Sequence, residues 1–100
     1  MIQIITQDGN MSYNIEYFHL KWNEELNCYD MIGRARFNLE ETALVVLGHY
    51  NFYKQAIDVF ARIDYNDNDL MYYRTNKKVF QMPENITDPQ ECIRIYGSLY

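Results

Sequence analysis

ALVVLGHYNFYKQAIDVFARI, residues 43–63, decides the fold. Its first eight residues are an apolar run that ends at Tyr50, and from Asn51 the pattern changes to a helical period. In that second half Tyr53, Ala56, Ile57, Phe60 and Ile63 share one stripe, leaving Lys54, Gln55, Asp58 and Arg62 for water. A strand feeding straight into an amphipathic helix is therefore expected, with Asn51 as its N-cap. Within the strand Leu44 and Val46 oppose Ala43, Val45 and Leu47. Both faces are apolar, which predicts a central strand or one covered on both sides. Asp58 and Arg62 stand one helical turn apart and are expected to pair.

Working outward toward the N-terminus, three more strands precede this run. Residues 2–6 alternate apolar and polar and run into Gln7-Asp8-Gly9-Asn10, whose Asp-Gly pair signals a hairpin. Residues 15–22 place Tyr17, His19 and Lys21 on one face and Phe18, Leu20 and Trp22 on the other. After a polar turn at 23–27, residues 28–37 set Met31, Gly33, Ala35 and Phe37 against Arg34 and Arg36. Residues 38–41 form the next turn.

Downstream of the helix comes the polar run 64–69, read as a loop that ends it, then 70–74 as a short strand or a helical continuation. Residues 79–82 form a brief extended segment stopped by Pro83. Asp88, Pro89 and Glu91 read as N-cap, first helical residue and capping-box glutamate of a short C-terminal helix. Its face would carry Cys92, Ile93, Tyr96, Leu99 and Tyr100, while an alternating strand through Ile93, Ile95, Gly97 and Leu99 fits almost as well. The expected fold is thus one α+β domain over residues 1–100, an antiparallel sheet of four to five strands on one main helix.

Composition limits the function classes. One hundred residues, 48% of them hydrophobic, suffice for a single core. A net charge of −5, from 14 acidic residues against 9 Lys and Arg, argues against a general electrostatic hold on DNA or RNA. No segment has the length or apolarity to span a bilayer, and MIQIITQDGN lacks the basic and apolar regions of a signal peptide. A cytoplasmic protein is the resulting expectation, with Cys28 and Cys92 reduced. Ten tyrosines are the compositional outlier, a residue favoured at interfaces, ligand pockets and half-buried sheet positions.

Chemical motifs are sparse. The run Asp64-Tyr65-Asn66-Asp67-Asn68-Asp69 resembles the opening of a calcium loop, but Asp69 stands where the turn glycine belongs and Thr75 where the bidentate carboxylate belongs. His19, His49, Cys28 and Cys92 hold no ligand spacing to one another, so structural roles are expected for them and no metal or cofactor. Neither Ser12 nor Ser98 lies in a GxSxG context, and HExxH is absent, so the reading is not an enzyme. Asn10 and Asn85 begin glycosylation sequons that have no meaning without secretion.

The suggestive grouping is Arg34 with Arg36, two guanidiniums on one strand face. Such forks hold carboxylate or phosphate bidentately, and Tyr17, Tyr29, Tyr72 and Tyr73 could stack a base. Ligand-binding residues expected from this are Arg34, Arg36, Tyr17, Tyr72 and Tyr73. The competing reading is a solvent-facing pair bonded to Glu16 or Glu40. An apolar outer patch rimmed by Arg, Tyr and His also has the character of a homo-oligomer surface.

IITQDG at the start, Gly48-His49-Tyr50 before the helix and VFQMPE at residues 79–84 together resemble small uncharacterised proteins of bacteriophages and related mobile elements. That resemblance covers the first 84 positions and implies a setting in a bacterial host, where an accessory protein counters immunity. Two partners follow as expectations: a small anionic nucleotide signal that the protein sequesters, or a host defence protein that it blocks in the manner of an anti-CRISPR.

Overall fold

The computed structural model describes residues 2–68 and 79–100. Five strands, β1 (Ile2–Ile5), β2 (Ser12–Asn23), β3 (Cys28–Arg36), β4 (Thr42–Tyr50) and β5 (Val79–Gln81), form one sheet in the order β4-β3-β2-β1-β5. Two helices, α1 (Tyr53–Asn68) and α2 (Pro89–Tyr96), complete the α+β fold. The sheet is mixed, because β5 returns parallel to β1 while every other pairing is antiparallel. Val79 to Gln81 could be read as extended from the sequence, but its direction depends on how the chain returns to the sheet after α1. Residues 70–74 lie outside the described residues, and with them the choice between strand and helix there.

Alternation along the strands separates two faces. Ile2, Ile4, Ile15, Met31 and Ala35 are buried on the face that α1 covers, where Ala56, Val59 and Ile63 meet them. Packing this set removes large apolar side chains from water at roughly 25 cal/mol per Å² and drives the collapse. The other face carries Tyr17, His19, Lys21, Ile32, Arg34, Arg36, Leu44 and Val46, which the strand period and the β2–β3–β4 register place together. No described element covers it.

Several expectations need correcting. First, β4 is an edge strand, with Leu44 59% and Val46 47% exposed. Its second apolar face reflects an uncovered patch, not a central position, and its free edge is closed in another way. The loop after β1 curls around so that Gln7 N–H donates to Leu47 O at 2.9 Å, His49 N–H donates to Gln7 Oε1 at 3.0 Å and Gln7 Nε2 donates to His49 O at 2.9 Å. One residue thus satisfies the open backbone groups of Leu47 and His49, a local remedy for an exposed edge. Gly48 permits the approach, since a Cβ there would come within 3.2 Å of Gln7 Cβ.

Second, Asn51 is not the cap of α1. Its side-chain oxygen accepts from Asn85 Nδ2 at 3.0 Å, and Asn85 Oδ1 accepts from Asn51 N–H at 2.9 Å. The free amide of Lys54 is satisfied instead by Leu99 O at 3.1 Å, so the C-terminal tail caps the helix through space. Third, the buried stripe is rotated: Gln55 is 1% exposed while Tyr53 is 40% exposed. Gln55 turns inward because the segment after β5 runs beside the helix, and its amide holds that segment, donating to Glu84 O at 2.8 Å and accepting from Ile86 N–H at 3.0 Å. The expected Asp58–Arg62 pair forms at 2.9 Å. The helix also runs on to Asn68, through residues read as its terminating loop.

The C-terminal segment is helical. Asp88 accepts from Gln90 N–H at 3.0 Å, Pro89 opens the helix and Gly97 closes it at φ 83°, with its N–H donating to Ile93 O. Glu91 is engaged by Arg94 rather than reaching back as a capping-box residue. Cys92 is buried, whereas Ile93 and Tyr100 face outward, so the expected face of the helix is only partly internal.

Candidate functional site

The open sheet face holds the residues that the sequence singled out, and β2 and β3 decide how they meet. Tyr17 pairs across from Arg34, and the Arg34 guanidinium carbon lies 5.0 Å from the centre of the Tyr17 ring. This cation–π contact holds the guanidinium against the Tyr17 ring. Arg34 Nε is buried without a hydrogen-bond partner among the described residues. Across the other side of β3, Leu44 pairs with Arg34 and Val46 with Ile32, giving apolar area beside the guanidinium.

Arg36 has another task. Glu16 engages its Nε, while Nη1 donates to the carbonyls of Asn38 at 3.1 Å and Leu39 at 2.9 Å. It ties the β3–β4 turn to a bulged residue of β2, so its charge is matched within the fold. The two arginines share a face, as the strand period requires, and among the described residues Arg34, not Arg36, has a buried polar atom without a partner. Tyr72 and Tyr73 lie outside the described residues. Tyr29 belongs to the opposite face, wedged between Trp22 at 4.8 Å and Tyr53 at 5.4 Å between ring centres.

At the other end of the open face the fold assembles a group that sequence spacing did not reveal. Cys28 and Asp30 are two apart on β3 and therefore project together, and His49 lies directly across from Asp30 on β4. His49 Nδ1 is 2.5 Å from Asp30 Oδ1, and Cys28 Sγ is 3.5 Å from that oxygen and 3.8 Å from the ring nitrogen. Asn23 Nδ2 donates to the second carboxylate oxygen at 3.0 Å.

This meeting depends on a bulge. Arg36 through Ile32 pair with Thr42 through Val46, after which the register slips and Met31 opposes Gly48. Leu47 is the extra residue. Were Leu47 instead paired in unbroken register, Asp30 would oppose Gly48, and His49 would point to the helix side. The legible signal was Cys28-Tyr29-Asp30 on an alternating strand; the histidine could be added only with the register in hand.

Burial, with the neighbouring Asp30 adding to it, pushes the Cys28 thiol above its ordinary value, and burial does the same to Cys92. Both are thiols rather than thiolates at neutral pH, and neither is an activated nucleophile. In native protein both are expected to react slowly with iodoacetamide at pH 7.5 and rapidly once unfolded in guanidinium. Mass spectrometry of the alkylated chain reads this directly, and fast native modification of Cys28 would contradict it.

Comparison with family models, with curated proteins and with solved structures gives no match. No described helix is long and apolar enough to cross a membrane.

Proposed function

We propose that this is a non-enzymatic binding protein that engages a protein partner through the open face of its sheet. The observation that carries the reading is the uncovered grouping of Tyr17, Leu44 and Val46, each close to half exposed or more, around a guanidinium pinned in place by Tyr17. Large apolar side chains surrounding a preordered arginine have the composition of an interface centre. The partner surface would be apolar with a carboxylate for Arg34. The resemblance to phage proteins supplies the setting, so the partner proposed is a component of bacterial immunity that the protein blocks.

Expression in a panel of bacterial strains, each carrying one immune system, is expected to restore phage plating on at least one strain. The Leu44→Lys/Val46→Lys double variant, folded as judged by circular dichroism, should lose that effect, plating falling at least 100-fold. Restoration by the double variant, or by neither protein on any strain, overturns the proposal.

Arg34 Nε, buried and without a partner among the described residues, favours a second reading in which the same face takes a small anionic nucleotide, its base stacked on Tyr17. A thermal-shift panel of cyclic and ADP-ribose-type nucleotides separates the two. Stabilisation by one of them that is lost in Arg34→Gln supports sequestration, and a flat panel leaves the protein partner as the occupant.

A further inference from the structure

We propose that Cys28, Asp30 and His49 form a three-donor site for a divalent zinc-class metal ion, with a fourth coordination position open toward the uncovered sheet face. One thiol, one carboxylate and one imidazole offer a ligand atom each, and the three atoms lie within 4.8 Å of one another. Thiolate with imidazole is a donor set that selects zinc or cobalt over calcium or magnesium.

The spacing suits a tetrahedral ion. Bonds of about 2.3 Å to sulfur and about 2.0–2.2 Å to nitrogen and oxygen separate such donors by about 3.3–3.6 Å. The sulfur lies 3.5 Å from the carboxylate oxygen and 3.8 Å from the ring nitrogen, already near those values. Only the 2.5 Å contact between His49 Nδ1 and Asp30 Oδ1 must open, and that is a hydrogen bond whose proton the metal replaces.

The surroundings orient the donors as outer-shell partners of a metal do. Asn23 Nδ2 holds Asp30 Oδ2, which leaves Oδ1 to face the cluster. Gln7 clamps the His49 backbone by both its N–H and its carbonyl. Cys28 and Asp30, on the interior strand β3, are 4% and 7% exposed, while the His49 side chain is 45% exposed and forms the open rim. Three protein ligands with one free position make a site that can take water, or a donor from whatever covers the face. The inference stands on these residues alone and does not depend on the partner proposed above.

Reduced full-length protein, stripped with chelator, is titrated with Co²⁺ and separately with Zn²⁺. One Co²⁺ per chain is expected, with a thiolate-to-cobalt charge-transfer band in the near ultraviolet that Zn²⁺ displaces. Cys28→Ser should abolish the band and Cys92→Ser should keep it. Because a buried substitution such as Cys28→Ser can impair folding, His49→Gln at the exposed rim provides the independent variant, expected to weaken Zn²⁺ binding at least 10-fold in calorimetry. Absence of the charge-transfer band in the wild-type protein, or binding unchanged by His49→Gln, overturns the site.

Discussion

Gln55→Leu is expected to lower the unfolding free energy by about 2–6 kcal/mol, the sum of two backbone groups losing their partners at about 1–3 kcal/mol each. Leucine fills much the same space on the buried face of α1, so packing alone would make the change mild. What it removes is the amide that serves Glu84 O and Ile86 N–H at once. These two bonds attach the segment between β5 and α2 to the helix, and with it the Asn85 side chain that meets Asn51. Urea denaturation should show a lower midpoint with an unchanged slope. A variant within about 0.5 kcal/mol of wild type would mean that the clamp is not what holds this segment, surface-like substitutions having effects of that size.

Alkaline pH is the second strong lever. Tyr50 is fully buried at the end of β4, its hydroxyl donating to Pro83 O at 2.9 Å. Burial pushes its phenol well above the ordinary value of 10.0, and Tyr96 adds in the same direction. A group whose native pKa is raised contributes stability that is fully present below the unfolded-state value and is lost as pH climbs beyond it. Stability should therefore be level up to about pH 10 and then fall by as much as about 1.4 kcal/mol per pH unit from this residue. Tyr50→Phe should cost about 1 kcal/mol at pH 7, for the lost hydrogen bond, and make the alkaline decline shallower. Thermal melts from pH 7 to 11 for both proteins test this, and identical alkaline slopes would remove Tyr50 as the cause.

The local rules of the sequence carried far, because turns and alternation are decided by neighbours. Asp8-Gly9 forms the turn it announces, with Gly9 at φ 79° and its N–H donating to Thr6 O. The faces of β2 and β3 divide as period two demands, and Asp88, Pro89 and Gly97 bound a helix where their chemistry says they should. Tertiary contacts account for the failures. An apolar edge strand with an interface reads like a central strand, so Leu44 and Val46 could not reveal the position of β4. Gln55 faces inward for a segment about thirty residues away in sequence. Asn51 finds its partner in Asn85, and no pattern around residue 51 announces that.

For the candidate site, the shared face of Arg34 and Arg36 was legible, and so was the alternative that Glu16 would neutralise one of them. Which one was not, since it depends on the bulge at Glu16 and the carbonyls of the turn that Arg36 reaches. The Cys28, Asp30 and His49 group escaped notice because the register slip at Leu47 sets its third member.

The parallel partnership of β1 with β5 has a temporal side. β1 gains its first neighbour, β2, from a hairpin available once residue 15 has emerged from the ribosome, but its second neighbour is the chain around residue 80. Throughout synthesis of the intervening segment, Gln3 to Ile5 therefore present a raw row of backbone amides and carbonyls able to recruit a stranger. Chaperone demand and misassembly should be greatest in that interval, and fall away once Val79 to Gln81 clear the ribosome and seal the seam.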